Sequence, residues 1–388
     1  MSPVIFSEIK TKNNKRIAFA ELNAPKSLNA LNMSMFVLLH KQLLAWQSND
    51  EIAMVIIQGA GDKAFCAGGD VVSLCHALKE ERENSANIES NYLTQTSASI
   101  INDETIIASF GHEFFSLEYQ VDQLIHEFTK PILVWGDGYI MGGGIGLFAG
   151  ASHKVVTEKT LLAMPEITIG LYPDVGASWF LNKMPNNIGL FLGMTGAIFN
   201  AADALNIGLA NVGINSSFKN DVIADLSNIE WQSNNENYDL LAQALSKFVQ
   251  QSELAFKLIP SNVVDHHAVI TQLTDFDNGA DIYQAISALE TDNDWLQRAQ
   301  AKLKKGSPLS AIITYQHLIM SKDLTLAECF AADLNLSLRC CQYPELSEGV
   351  RALLIDKDKN PRWTYENIKD IPAELLTWFF TPLKKLSK

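Results

Sequence analysis

The sequence is poor in charge, and in positive charge above all. Only 19% of its 388 residues are charged, and 30 lysines and arginines stand against 44 aspartates and glutamates, for a net charge of −14. Nucleic acid and anionic membrane surfaces would repel so acidic a chain, so neither is predicted as a partner. A hydrophobic fraction of 47% allows a large buried core.

Cysteines are few, and long apolar runs are absent. The chain has five cysteines, an odd number at irregular spacing without a CxxC pair. We therefore predict neither a disulfide framework nor a zinc site. We expect the protein to lie in a reducing compartment. No run is long enough to span a bilayer, and the first residues lack a basic stretch followed by a long apolar one. The expectation is a soluble, cytoplasmic protein.

The pattern of the first 215 residues predicts an α/β core, because short apolar runs alternate with glycine-rich turns and amphipathic stretches. A polar, weakly periodic segment at 79–104 is predicted to be variable or mobile. The predicted elements are a β-hairpin at 4–9 and 16–22, helices at 33–46, 71–78 and 114–128, and buried strands at 53–57, 132–135 and 154–156.

From residue 216 onward the composition shifts toward asparagine, glutamine and acidic residues, and the remaining periodicity is helical. We therefore predict two regions, a core at 1–215 and a helical C-terminal region at 216–388. The predicted helices of the second region are 240–248, 280–287, 294–303, 308–320 and 326–339.

Residues 141–146 contain three consecutive glycines after the apolar run at 132–135. Glycine has no β-carbon, so backbone amides here can come close to a ligand. If a helix begins at these residues, its first amides have no intrahelical acceptor and its dipole end is positive. The segment thus predicts a site for an anion, or for an oxygen that becomes anionic during a reaction.

A second turn of this kind lies at 63–70, where two glycines precede Asp70, a residue suited to the N-cap of a helix. By itself such a turn is typical of an ordinary connection between a strand and a helix. Two turns that present amides in one chain instead favour an oxyanion hole.

Two acidic residues are candidates for chemistry. Glu166 follows Pro165 in an apolar setting that would raise its pKa, which suits a general base or a carboxylate nucleophile. A solvent-facing or salt-bridged glutamate is the alternative. Asp174 lies in a polar turn, where the local sequence alone favours capping of its own backbone.

Two further interpretations have less support. Residues 144–149 fit G-x-G-x-x-A, with Glu166 twenty residues after Gly146, as in a dinucleotide-binding fingerprint. That fingerprint should directly follow a strand, and residues 136–141 intervene here. Cys66 has no histidine in a local catalytic pattern, so a buried structural role is predicted for it.

Together these motifs resemble the crotonase (enoyl-CoA hydratase/isomerase) superfamily. Residues 25–31 resemble the segment that wraps the adenine end of coenzyme A, and 63–71 and 141–146 resemble the two oxyanion-hole segments. The resemblance implies a spiral of strand–strand–helix repeats followed by a helical C-terminal region that covers the active site. It also implies an acyl-CoA substrate, no metal and no cofactor beyond the coenzyme A of the substrate. Because members are often built on trimers, a homo-oligomer is a further expectation.

The same resemblance implies the site residues, together with that of segments 117–119 and 163–176 to the 3-hydroxyisobutyryl-CoA hydrolases within the superfamily. The amides of Gly69 and Gly143 would hold the thioester oxygen. The catalytic positions would be Glu166, Asp174, Gly69 and Gly143. The substrate-binding positions would be Glu118, Gly143, Glu166, Asp174, Leu28, Ala30, Ala67, Gly68 and Asp70.

One departure from the superfamily pattern concerns Gly146. Enoyl-CoA hydratases use two glutamates that share a water, one matching Glu166 and the other matching Gly146. Adding water across a double bond needs an acid and a base, so the missing carboxylate argues against hydratase activity.

Segments 65–70, 117–119, 163–176 and 348–358 resemble the 3-hydroxyisobutyryl-CoA hydrolases within the superfamily. That resemblance implies cleavage of 3-hydroxyisobutyryl-CoA, or a similar 3-hydroxyacyl-CoA, in valine catabolism. The alternatives are an enoyl-CoA isomerase or hydratase of the same superfamily and a non-catalytic acyl-CoA-binding protein.

Overall fold

A computed structural model describes residues 2–84, 109–232 and 234–383 of the chain. Most of the segment predicted to be variable, from residue 85 onward, lies outside the described residues. Its first residues, 79–84, belong to a helix.

Ten strands form two sheets in the described chain. The larger sheet has the order β1-β2-β3-β5-β7-β10 and the smaller one β4-β6-β8-β9. The predicted hairpin is confirmed, since β1 and β2 pair antiparallel, whereas the other neighbours in the larger sheet run parallel. The strands are β1 (Val4–Lys10), β2 (Arg16–Leu22), β3 (Ile52–Gly59), β4 (Ala64–Cys66), β5 (Ile132–Gly136), β6 (Tyr139–Met141), β7 (His153–Val156), β8 (Leu161–Ala163), β9 (Phe199–Asn200) and β10 (Val212–Gly213).

The parallel strands are apolar runs because both faces of the larger sheet are covered. All of β5 is buried, as are the first six residues of β3. Tertiary burial therefore explains why neither strand alternates between apolar and polar residues.

Helices cover both sheets. The helices before residue 210 are α1 (Met33–Gln47), α2 (Val71–Asn84), α3 (Ser109–His126), α4 (Gly143–Ala149), α5 (Ala177–Leu181), α6 (Ile188–Thr195) and α7 (Ala201–Asn206). Those that follow are α8 (Lys219–Ser227), α9 (Asn234–Lys257), α10 (Asn262–Asp265), α11 (His267–Thr274), α12 (Gly279–Ser287), α13 (Asp294–Lys305), α14 (Pro308–Met320), α15 (Leu326–Gln342), α16 (Pro344–Val350) and α17 (Ala373–Phe380).

The predicted helical C-terminal region is confirmed, and the differences are in length. Helix α9 begins six residues before the predicted 240 and ends nine after the predicted 248. The apolar periodicity covers only the part of α9 that packs on the sheet, where Leu241, Leu245 and Phe248 are buried against strand residues. The polar ends gave no such signal.

The larger hydrophobic core contains side chains from both predicted regions, from Val4 of β1 to Phe379 of α17. Helix α15 packs along α3, and the rings of Phe330 and Tyr119 lie 6.1 Å apart between centroids. The C-terminal helices are thus brought onto the face of the core where the glycine-rich turns lie. The division at residue 215 itself stays a prediction.

Candidate active site

A cavity of about 170 Å³ lies where both glycine-rich turns meet α3 and the C-terminal region. One wall is the 3₁₀ turn Glu166–Ile169, and another is the π-helical turn Arg351–Ile355. Turns of the π type are rare in proteins, and many of those known lie at functional sites. The polar and glycine lining is contributed by Gly68, Gly69, Glu118, Gly142, Gly143, Glu166, Thr168 and Asp174.

The amides of Gly69 and Gly143 lie close together at this cavity. Gly143 is the first residue of α4, so its amide has no intrahelical acceptor. A β-carbon built on Gly143 would lie 3.4 Å from the Gly69 nitrogen. Within the described chain neither amide donates to a protein group. Positive φ angles of 108° at Gly68 and 48° at Gly142 turn the backbone into this arrangement.

Two carboxyl groups use the space that the glycines leave open. A β-carbon built on Gly142 would lie 2.7 Å from Oε1 of Glu166, and one built on Gly69 would lie 3.7 Å from Oε1 of Glu118. A side chain at position 142 would collide with the Glu166 carboxyl, and one at position 143 would collide with the Glu118 carboxyl. Glycine at these two positions therefore makes room for the acidic groups and also exposes backbone amides.

The solvent-facing alternative for Glu166 is wrong, because the side chain is only 5% exposed. Its Oε2 has no hydrogen-bond partner and it forms no salt bridge within the described chain. Burial raises the pKa of Glu166 well above its usual value, and the nearby Asp174 raises it further, while Lys302 acts in the opposite direction.

Glu118 and Asp174 face the same cavity from α3 and from the turn before α5. Burial raises the pKa of Glu118 well above its usual range, and Asp174 adds to the rise. Burial also raises the pKa of Asp174 to about 7, against the effect of the Tyr119 hydroxyl that donates to it over 2.6 Å. Asp174 thus does more than cap a turn, and tertiary packing brings all three predicted acidic residues together.

The predicted adenine segment packs beside the first glycine turn. The Ala67 amide donates to the Leu28 carbonyl over 3.0 Å. Ala67 lines the cavity, whereas Leu28 and Ala30 do not. The Asp70 carboxylate accepts a hydrogen bond from the Ser73 amide, which confirms the predicted N-cap of α2. Asp70 does not line the cavity.

Asp122 was missed by the reasoning from sequence. Its side chain is fully buried, neither carboxyl oxygen has a partner in the described chain, and Oδ2 would lie 2.6 Å from a β-carbon built on Gly146. Burial raises the pKa of Asp122 well above its usual range, with Asp174 and Asp333 adding to the rise. Its spacing of four residues from Glu118, which places both on one face of α3, was the available signal.

A second cavity of about 360 Å³ shares Thr168 and Leu353 with the first. It is bordered by cationic side chains. They are Arg298, Lys302, Lys305 and Lys359. By contrast, Arg351 is engaged by Glu348, Asp356 and Asp358.

The profile of a family described as enoyl-CoA hydratase/isomerase matches residues 17–380. The chain belongs to this family. The crotonase resemblance is therefore confirmed. A relative from Danio rerio, named 3-hydroxyisobutyryl-CoA hydrolase, mitochondrial, is 32% identical over 99% of this chain and 92% of its own length. One of the same name from Dictyostelium discoideum is 32% identical over 93% of this chain and 88% of its own.

Solved structures of the enoyl-CoA hydratase/isomerase family share the fold. An enoyl-CoA hydratase from Rhodobacter sphaeroides has a TM-score of 0.78 at 27% identity, with 98% of each chain covered. A carnitinyl-CoA dehydratase from Mycobacterium thermoresistibile has a TM-score of 0.80 at 25% identity, covering 99% of this chain and 98% of that one. The predicted fold class, with its helical C-terminal region, is confirmed.

In this family member the remaining interpretations find little support. A strand does precede the 144–149 motif, because β6 ends at Met141. The motif itself, however, lies inside helix α4 (Gly143–Ala149), whereas the dinucleotide fingerprint begins in the turn between strand and helix. Burial raises the pKa of Cys66 to about 12, which suits the predicted structural role rather than a nucleophile. No group of three potential metal ligands lies in the described ranges. No described helix has the length and apolar character to cross a membrane.

The predicted cytoplasmic location stays a prediction, and both relatives carry the word mitochondrial in their names. The predicted homo-oligomer stays a prediction as well.

Proposed function

We propose that this chain hydrolyses the thioester of a 3-hydroxyacyl-CoA, such as 3-hydroxyisobutyryl-CoA, to the free acid and coenzyme A. One observation carries the proposal. Two amides without protein acceptors, at Gly69 and Gly143, open onto the same cavity as the buried carboxyl of Glu166. The relatives named as hydrolases support it at the level of the whole chain.

The first requirement of thioester cleavage is a place for the negative charge. When a nucleophile adds to the thioester carbonyl, its oxygen becomes an oxyanion. Two preorganised amides stabilise that oxygen more strongly than they stabilise the carbonyl, and each donor contributes about 3 kcal/mol in the transition state. The Gly69 and Gly143 amides would supply this stabilisation.

The second requirement is an activated nucleophile, and Glu166 would provide it in one of two ways. Its carboxylate would attack the carbonyl and expel the thiolate, giving an acyl-enzyme anhydride that water then hydrolyses. Alternatively it would take a proton from a water that attacks directly. Both routes need ionised Glu166, and burial makes that carboxylate a stronger base than an exposed one.

The acyl group would be selected by Glu118 and Asp174. A hydroxyl on the third carbon of the acyl chain can hydrogen-bond to carboxyl groups that line the cavity. An analogue without that hydroxyl would leave buried polar groups unpaired, which is the basis of strong discrimination.

The phosphates of coenzyme A need positive charge, which this acidic chain offers only locally. Cationic side chains line the second cavity, which shares Thr168 and Leu353 with the cavity that contains Glu166. We assign the phosphate contacts to Lys305 and Lys359 in particular, because Lys302 already donates to the Gly196 carbonyl.

Release of free coenzyme A from a panel of 3-hydroxyacyl-, enoyl- and saturated acyl-CoA thioesters tests the proposal. The expected result is thiol release that is fastest with the 3-hydroxyacyl compounds. A shift of the double bond without thiol release would instead indicate an enoyl-CoA isomerase. Binding without any turnover would indicate an acyl-CoA-binding protein.

A further inference from the structure

A buried series of hydroxyl groups leads away from the cavity into the C-terminal region. The Tyr119 hydroxyl donates to Oδ2 of Asp174 over 2.6 Å and lies 2.6 Å from the Ser337 hydroxyl. The Ser337 hydroxyl lies 2.9 Å from that of Tyr172, which donates to the Asp333 carbonyl over 2.8 Å. The four residues are at most 4% exposed, so water does not compete for these bonds.

The direction of these bonds is set by the number of protons. Each hydroxyl has one proton to donate. Tyr119 gives its proton to Asp174, and Tyr172 gives its proton to a carbonyl that can only accept. Ser337 then donates to one of the two tyrosine oxygens. This arrangement requires Asp174 to accept from Tyr119, and an ionised carboxylate accepts more strongly than a protonated carboxyl, so the bond favours the ionised form.

Burial and the charge of Asp333 on α15 oppose ionisation of Asp174 by raising its pKa. An ionised Asp174 in turn raises the pKa of the titratable groups around it, which are Glu118, Tyr119 and Asp122 of α3, Glu166 of the 3₁₀ turn, Tyr172, and Cys340 and Cys341 of α15. Asp333 is itself bonded to His317 of α14 over 2.6 Å. Within the described chain Tyr119 is the side chain that donates to the Asp174 carboxylate.

We propose that Tyr119 is a positioning residue whose hydroxyl favours the ionised form of Asp174 and orients that carboxylate toward the acyl pocket, with Ser337 of α15 supporting the Tyr119 hydroxyl. The inference rests on the proposed function for the role it gives Asp174. It extends that function by making the C-terminal region part of the site: α15 reaches Asp174 through the Ser337 and Tyr119 hydroxyl groups, and none of its described residues lines the cavity.

The test is a titration of Asp174 without substrate. The protein is labelled with aspartate carrying ¹³C in its side-chain carboxyl, and the Asp174 resonance is identified by its absence from Asp174→Asn. We expect Tyr119→Phe to raise the titration midpoint by about one pH unit, because the carboxylate loses a hydrogen bond to its charged form. Tyr172→Phe is the matched control, since it removes a hydroxyl from the same series without touching Asp174.

An unchanged midpoint in Tyr119→Phe, or an equal rise in Tyr172→Phe, would overturn the inference. Should Tyr119→Phe not fold, Ser337→Ala takes its place: a smaller upward shift is expected and no shift is the contrary result. Because the titration needs no substrate, it is independent of the proposed function. Wild-type protein that releases no coenzyme A from any thioester would refute the function and leave the titration result standing.

Discussion

Asp122 and Gly146 share one space in the site, although they come from different helices. Oδ2 of Asp122 lies 2.6 Å from the point where a β-carbon on residue 146 would stand. The resemblance to hydratases places their second glutamate at Gly146. Among the residues that the structure describes, the carboxyl group nearest that point belongs to Asp122 of α3, which is fully buried and does not line the cavity. The space that residue 146 leaves open is therefore filled by a carboxyl group that does not face the substrate cavity.

Replacing Gly146 by alanine should therefore destabilise the protein. The added methyl group would meet Asp122 and, at 2.8 Å, the β-carbon of Val175. Overpacking of this kind costs about 1–3 kcal/mol. Urea unfolding of Gly146→Ala, Asp122→Ala and the double variant measures the coupling. We expect Asp122→Ala to recover part of the loss, and strictly additive effects would contradict the shared space.

Asp122 should also make stability fall as pH rises. Its pKa is higher in the folded protein than in the unfolded chain, where the pKa of aspartate is about 4. Between those two values the unfolded chain releases the proton and the folded protein keeps it, so the free energy of unfolding decreases by about 1.4 kcal/mol per pH unit.

Asp122→Asn removes this pH-dependent loss of stability, because the amide does not titrate. We expect the variant to gain stability relative to wild type at pH 8 and to show little of that gain at pH 4, as measured by urea unfolding at both values. Asp292→Asn changes an exposed aspartate and is the control. A gain of equal size at pH 4 and pH 8 would argue against a buried, proton-retaining Asp122.

Glu166→Gln should abolish most release of coenzyme A while leaving ligand binding intact. The amide can neither attack the carbonyl nor accept a proton, and loss of a general base lowers rates by roughly 10²–10⁴-fold. The assay is free thiol formation, with coenzyme A binding followed by calorimetry. Glu374→Gln alters an exposed glutamate and should retain activity. Near-normal turnover in Glu166→Gln would remove this residue from the chemistry.

The wild-type rate should itself depend on the ionisation of Glu166. The working form is the carboxylate, and burial raises the pKa of Glu166 above its usual value. The rate should consequently fall as pH decreases through that raised pKa, at a higher pH than an exposed glutamate would give. A rate that stays constant down to about pH 5 would contradict a buried base with a raised pKa.

Asp174→Asn should reduce the preference for hydroxylated acyl groups. The carboxylate that would accept from the substrate hydroxyl becomes an amide whose nitrogen cannot accept. We expect the ratio of kcat/KM for 3-hydroxyisobutyryl-CoA over isobutyryl-CoA to fall by about tenfold or more. An unchanged ratio would assign the selectivity elsewhere, with Glu118→Gln as the next variant to measure.

Charge reversal at Lys305 or Lys359 should weaken the binding of substrates that carry the coenzyme A phosphates. Each exposed ion pair contributes up to about 1 kcal/mol, so a roughly two- to fivefold rise in KM is expected. The N-acetylcysteamine thioester of the same acyl group lacks the phosphates and should be unaffected. Lys304→Glu lies on α13 outside the second cavity and is the matched control. Equal effects on both thioesters would refute the phosphate assignment.

Much of the fold could be predicted because local patterns report burial. Apolar runs identified β3 and β5, and the 3.6-residue periodicity identified the major C-terminal helices. Helix ends were predicted less well. Helix α3 begins five residues before the predicted 114, because its first turn carries fewer of the buried residues that produce the pattern.

The order of residues is enough to predict which chemical groups the candidate site contains. Glycines at 69 and 143, the glutamate at 166 and the absence of a carboxylate at 146 are all readable from the order of residues, because each reflects a local backbone or side-chain requirement.

The pKa values of these groups and their hydrogen-bond partners depend instead on how the chain packs in three dimensions. The raised pKa values of Glu118, Glu166 and Asp174 come from shared burial across α3, the 3₁₀ turn and α15. The Tyr119 and Ser337 hydroxyls meet across 218 positions of sequence. Electrostatic interaction depends on distance and dielectric surroundings, and neither is encoded at short range along the chain.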